Sequence, residues 1–282
     1  MSAAVFDPRA CELGEGPLWH PERQQLFWFD IIGKRLLSRD GEGEKSWQFQ
    51  EHVSAAGWLD RDHLLIASET ALLRFDLRDG NAEHVVDLEA DNPITRSNDG
   101  RADPMGGFWI GTMGKSAEAG AGAIYRFYGG KVTRLFNEIT IPNAICFSPD
   151  GQHAYFTDTP TKRILRQTLD AEGWPVGDPE LFLDLGLEGL NPDGAVVDAE
   201  GCLWNAQWGA SRVARYGTDG RFLSQVEIGA QHASCPAFGG AELQTLFLTS
   251  AREGIADAGP SEGQTFSAAL DVKGQREHRV RL

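Results

Sequence analysis

Residues 141–158, IPNAICFSPDGQHAYFTD, hold the pattern that decides the fold. A short apolar segment, Asn143–Cys146, is followed by the turn sequence Ser148-Pro149-Asp150-Gly151 and then by an aromatic-rich run, Ala154–Asp158 (AYFTD). Runs of this length and composition, bounded by Gly, Pro and Asp, read as strands joined by tight turns. The aromatic run recurs in both directions along the chain: Leu26–Asp30 (LFWFD), Leu64–Ser68 (LLIAS), Phe108–Thr112 (FWIGT), Leu203–Gln207 (LWNAQ) and Leu246–Ser250 (LFLTS). The middle residues are Trp28, Ile66, Ile110, Phe156, Asn205 and Leu248, so the spacings are 38, 44, 46, 49 and 43 residues.

Each unit carries further strand-like segments. One lies 10 to 14 residues upstream of the aromatic run, as in Gly16–Trp19, Ala55–Trp58 and Asp193–Val196. Another lies downstream and often contains Arg, as in Leu72–Phe75, Ile124–Phe127 and Val213–Tyr216. A fourth, more variable segment follows, as in Ser46–Phe49 and Phe222–Ile228. The sixth unit is degenerate after its aromatic run, with Phe266–Ala269 as its third segment. No strong helical period is present. Six units of about 40–50 residues, each with about four strands, predict an all-β, six-bladed β-propeller. Its four-stranded antiparallel blades surround a central channel, and the whole of residues 1–282 forms one domain. The strand-like end segments, Ala3–Phe6 and His278–Leu282, are expected to pair and close the ring, since an open sheet edge invites aggregation.

Composition agrees with this reading. Gly is high at 33 of 282 residues, about 12% against an average of roughly 7%, as many turns require. The 26 Lys and Arg against 41 Asp and Glu give a net charge of −15. That balance argues against nucleic acid and anionic membranes as partners. Residues 1–15 lack a basic stretch followed by an apolar run, and no apolar window is long enough to span a bilayer. Cys11, Cys146, Cys202 and Cys235 are far apart and form no CxxC pair. Reduced thiols in a cytoplasmic protein are therefore expected.

In a propeller the innermost strands line the channel, so equivalent positions of the six units face one another. Twelve or thirteen residues before each middle residue stand Glu15, Ser54, Asn98, Asn143, Asp193 and Cys235. Two carboxylates and two amides thus share one ring. Such oxygen donors suit a hard or borderline divalent cation. Glu15, Asn143 and Asp193 come from different units, and three protein ligands would leave positions open for water or substrate. Taken singly, Asn98-Asp99-Gly100 and Asn191-Pro192-Asp193-Gly194 also read as ordinary turns. The Ala/Gly-rich stretch Lys115–Gly122 reads as a mobile loop able to cover a pocket, with Arg96 and Glu118 near the same rim. The histidines show no metal-binding spacing, GxSxG is absent, and no GxGxxG opens a helix after a strand.

Leu13–Glu22 (LGEGPLWHPE), Arg96–Met113 (RSNDGRADPMGGFWIGTM), Ile141–Thr159 and Asn191–Gly209 (NPDGAVVDAEGCLWNAQWG) stand in order, followed by Phe238-Gly239-Gly240 and LFLTSAR at 246–252. This set, covering nearly the whole chain, resembles the gluconolactonase/regucalcin (senescence marker protein) family of six-bladed propellers. The resemblance implies metal-dependent hydrolysis of a sugar-acid lactone, an aldono-1,4- or 1,5-lactone, to the aldonic acid. It implies one divalent ion (Ca, Zn, Mn, Mg or Fe(II)) held by Glu15, Asn143 and Asp193, with Asp193 also the general base. Arg96 and Asn98 match the family's substrate contacts, and Glu118 matches a third by its place before Gly122-Ala123-Ile124-Tyr125. Ala144 departs from the Gly of many relatives. The partner expected is a small sugar lactone, bound by a monomer or weak homo-oligomer. Three alternatives are a non-enzymatic scaffold, a propeller hydrolase of other esters or phosphotriesters, and a calcium buffer. A scaffold needs no oxygen-rich ring, the phosphotriester enzymes use His at positions where this chain has none, and one site with few carboxylates buffers poorly.

Overall fold

The computed structural model describes all residues, Met1–Leu282, as six four-stranded antiparallel sheets. A short strand, β1 (Ala4–Asp7), comes first. Blade 1 is β2 (Gly14–His20), β3 (Gln25–Asp30), β4 (Arg35–Asp40) and β5 (Gly43–Gln48). Blade 2 is β6 (Val53–Asp60), β7 (His63–Ser68), β8 (Ala71–Asp76) and β9 (Ala82–Asp87). Blade 3 is β10 (Thr95–Ala102), β11 (Phe108–Gly114), β12 (Gly122–Tyr128) and β13 (Lys131–Ile139). Blade 4 is β14 (Pro142–Phe147), β15 (His153–Asp158), β16 (Arg163–Thr168) and β17 (Glu180–Asp184). Blade 5 is β18 (Asn191–Val197), β19 (Leu203–Trp208), β20 (Arg212–Tyr216) and β21 (Phe222–Glu227). Blade 6 takes β22 (His232–Gly239), β23 (Thr245–Ala251) and β24 (Thr265–Ala269) and is completed by β1. A single 3₁₀ turn, Thr159–Thr161, is the one helical element, and no helix is long and apolar enough to cross a membrane. The six-bladed propeller read from the repeat is the fold.

The apolar runs are explained by where the second strand of each blade sits. Successive side chains of a strand point to opposite faces. In β3, Phe27 and Phe29 enter the cluster shared with blade 2, while Leu26 and Trp28 enter the cluster shared with blade 6. Both faces are dry, so the strand is apolar throughout rather than alternating. The same arrangement repeats around the ring, with one buried apolar cluster for each of the six blade-to-blade contacts.

Ring closure differs from the expectation. The Ala3–Phe6 segment does not pair with His278–Leu282; β1 pairs with β24, through Ala4↔Ser267 and Val5↔Phe266. Blade 6 has only three strands of its own, so its outer edge is open to the N-terminal strand. The C-terminal segment instead crosses the far end of the channel. Gln275 Nε2 donates to Phe147 O and Val197 O, each at 3.0 Å, and Val280 N donates to Trp58 O at 3.0 Å. These carbonyls belong to innermost strands of blades 2, 4 and 5, which have no other strand to pair with on the channel side.

Candidate functional site

The innermost strands share one irregularity. In every blade the pairing with the second strand slips at the same place: Glu15/Leu18, Val53/Ala55, Ser97/Gly100, Asn143/Cys146, Pro192/Ala195 and Ala233/Pro236. A bulge re-aims the side chains beside it. Six bulges at one level turn six side chains toward the axis. Two of the bulges require a left-handed residue, Gly16 at φ +53° after Glu15 and Ala144 at φ +57° after Asn143. A Cβ at Gly16 would run into the Ser54 carbonyl, so Gly is the residue that fits. The Asn-Asp-Gly and Asn-Pro-Asp-Gly sequences lie within β10 and β18; they are bulged strands, not turns.

A cavity of about 430 Å³ opens at this level. Glu15, Asn98, Asn143 and Asp193 line it together with Arg96. All five are nearly fully buried, between 3% and 7% exposed. The other two ring residues are engaged elsewhere: Ser54 Oγ donates to Ser97 Oγ at 2.8 Å, and Cys235 packs against Gly194. Glu118 is not among the lining residues. Its carboxylate is turned onto its own exposed loop and accepts from the Ser116 N–H at 3.1 Å, while Lys115, Ser116 and Ala117 of that loop line the cavity.

A hydrogen-bonded chain fixes the amides. Arg96 Nη1 donates to Asn98 Oδ1 at 2.8 Å, and Asn98 Nδ2 donates to Asn143 Oδ1 at 3.1 Å. Asn143 Nδ2 donates to Thr159 Oγ1 at 2.9 Å, and Thr159 Oγ1 donates to Pro192 O at 2.8 Å. The Asn143 carbonyl oxygen keeps a second lone pair. The carboxylates lack such partners. Glu15 accepts only from the Gly16 N–H, at 3.0 Å, and the Asp193 carboxylate has no side-chain donor. Burial, aided by the Asp99 charge, raises the Glu15 pKa, and burial with the Glu15 and Asp99 charges raises that of Asp193 well above the carboxylate range.

Asp99 is a channel residue that the repeat reading missed. It is buried, its Oδ2 accepts from the Ile145 N–H at 2.7 Å, and burial raises its pKa to about 6. Its neighbour Asn98 held the ring position, and the Asn-Asp-Gly sequence masked it as a turn. Thr159, Trp208 and Glu253 also line the cavity without having been anticipated. They follow or end other strands, outside the repeated ring position.

Whether this donor set suits a cation can be judged from its chemistry. No three His, Cys, Asp or Glu side chains cluster closely enough to bind a metal by themselves. The set here is two carboxylates and an amide oxygen. Buried carboxylates with so few hydrogen-bond donors are costly unless a positive charge meets them. The residues therefore fit a hard divalent cation.

The matches to known proteins agree in extent. The family model for the SMP-30/gluconolactonase/LRE-like region matches residues 13–252. The crystal structure of a calcium-binding protein, regucalcin, from Agrobacterium tumefaciens superposes with a TM-score of 0.97 at 42% identity, covering 100% of this chain and 98% of that one. An L-arabinolactonase of Azospirillum brasilense is 37% identical over 87% of this chain and 83% of its own length. A pentonolactonase of Haloferax volcanii is 33% identical, with 97% of each chain covered. This chain belongs to the SMP-30/gluconolactonase/LRE-like family.

Proposed function

We propose that this protein is a lactonase that opens a sugar-acid lactone to the aldonic acid with the help of one divalent cation. The observation that carries this reading is the pair of buried carboxylates without side-chain donors, Glu15 and Asp193, sharing a cavity with the Asn143 amide oxygen. Glu15, Asn143 and Asp193 would hold the ion. When bound, such an ion polarises an ester carbonyl and lowers the pKa of water.

The residues supply the rest. An Asp193 carboxylate oxygen accepts the proton of a water as that water attacks the lactone carbonyl carbon. The same carboxyl then returns the proton to the ring oxygen as the C–O bond breaks. Only the Nη1 of Arg96 is engaged, with Asn98 Oδ1 and Ser97 O, so its remaining donors can hold substrate hydroxyls or the carbonyl oxygen. Glu118 would join them only if its loop turned inward. All four cysteines are buried and unpaired, which supports a reducing compartment such as the cytoplasm.

The test is turnover of a panel of five- and six-membered aldonolactones, with chelator and after add-back of single metals. Turnover lost with chelator and restored by a divalent ion is the expected result. Failure on every lactone, or full activity in chelator, would overturn the reading.

A further inference from the structure

One wall of the cavity differs from the donor ring. Trp208 ends β19 and lines the cavity at half-burial, alongside Leu13 of blade 1. The imidazole of His232, at the start of β22, lies on the indole with ring centroids 4.1 Å apart and an interplanar angle of 19°. His232 is buried and its Nδ1 has no hydrogen-bond partner, so stacking on the indole is a main contact of that side of the ring. Burial lowers its pKa, which favours the neutral ring. The imidazole covers one face of the indole, the indole also packs against the apolar cluster between blades 1 and 2, and its remaining surface lines the cavity. Arg96 and Asn98, on blade 3, supply the polar side of the same cavity.

A lactone ring is compact, with C–H groups on its faces and hydroxyls at its edge. The open-chain acid made from it is flexible and anionic. A flat aromatic surface packs against the first and gains little from the second. We infer that Trp208, braced by His232, is the platform on which the ring of the substrate packs, and that it lets the site prefer the cyclic lactone to its own open-chain product. Trp208 touches the substrate; His232 is a positioning residue that acts through it. This inference deepens the lactonase reading and rests on it.

The experiment compares KM for an aldonolactone with the inhibition constant of the corresponding aldonate, in cation-loaded protein. Trp208→Leu is expected to raise KM about ten-fold while the aldonate inhibition constant changes less than two-fold. Trp208→Phe should recover most of the lost affinity. His232→Ala should raise KM about three-fold, and His232→Phe, which keeps a stacked ring, should restore it. Melting curves identify any variant that fails to fold, and the Phe variants then carry the comparison. Equal rises in KM and in the aldonate constant, or no rise in either, would overturn the platform role while the wild type still turned lactones over. A wild type inert on every lactone would overturn the lactonase reading and the inference together.

Discussion

The two ends of the channel solve opposite problems. At the mouth, Glu15 and Asp193 are buried without a side-chain donor or counter-charge bonded to them. At the floor, the equally buried Arg101 is paired with Glu277 of the C-terminal segment. That segment is further tied down by the Trp58 Nε1–H, which donates to Glu277 O at 3.0 Å, and by the Arg281 N–H, which donates to Gly106 O at 2.9 Å. Only a space of about 20 Å³, enough for one water, remains between the segment and Arg101, Cys146 and Val196. The floor pairs its charges and contributes rigidity. The mouth keeps its charges unpaired, which costs stability and leaves them available to a ligand. A site of this kind is expected to trade stability for function.

The largest test of that contrast is Asp193→Asn. Loss of the proposed proton acceptor should lower kcat by roughly 10³–10⁴-fold, about 4–5 kcal/mol. In chelator, the same variant should melt at a higher temperature than the wild type, because one of the mutually repelling buried carboxylates, Glu15, Asp99 and Asp193, is gone. Kinetics and thermal melts of one preparation check both. A variant that is slow but no more stable would show that the mouth is not under electrostatic strain.

At the floor, Glu277→Gln should act on stability alone. It leaves the Arg101 charge buried without its counter-charge, at a cost of about 3–4 kcal/mol. Denaturant unfolding should show that loss, while KM at a temperature where the variant remains folded should stay within two-fold. A large change in KM would mean that the two ends are coupled.

A third test uses pH. Asp99 has its pKa raised to about 6 by burial, and burial also raises those of Glu15 and Asp193. The folded protein therefore holds these protons more tightly than the unfolded chain. Between the unfolded carboxylate values near 4 and the raised folded ones, stability must fall as pH rises. Asp99 alone accounts for about 2 kcal/mol between pH 4 and pH 7. Chelator-treated protein should thus lose melting temperature from pH 5 to pH 7.5, and the cation-loaded protein should lose less. Parallel curves with and without cation would place the ion away from these carboxylates.

The same contrast explains what was legible in the chain. LFWFD and its counterparts disclose the fold because a strand buried on both faces has to be apolar at every position. The oxygen ring is legible because the bulge recurs at one position of each repeat. The floor carries no such period. Glu277 meets Arg101 across 176 residues, and nothing local in the C-terminal segment announces that pairing. Trp208 and His232 are also brought together from different blades, by a contact that no spacing within one repeat encodes. Asp99 was hidden for a third reason, since a bulged strand and a turn use the same Asn, Asp and Gly residues.

The smallest effect belongs to Ala144, the residue after Asn143. Its φ of +57° costs a non-glycine residue about 1 kcal/mol or more. Ala144→Gly would remove that strain. It would also remove a methyl group fully buried in the cluster between blades 4 and 5, worth about 0.8 kcal/mol, and would loosen the unfolded chain by roughly 0.4–1 kcal/mol. These terms nearly cancel, so the melting temperature should move little. Asn143 is meanwhile held by Asn98 and Thr159, through hydrogen bonds that do not involve the Ala144 side chain. Calorimetric titration with a divalent ion should therefore give the wild-type affinity within about two-fold. A ten-fold loss would show that the backbone at 144, rather than the chain of amides, sets the position of Asn143.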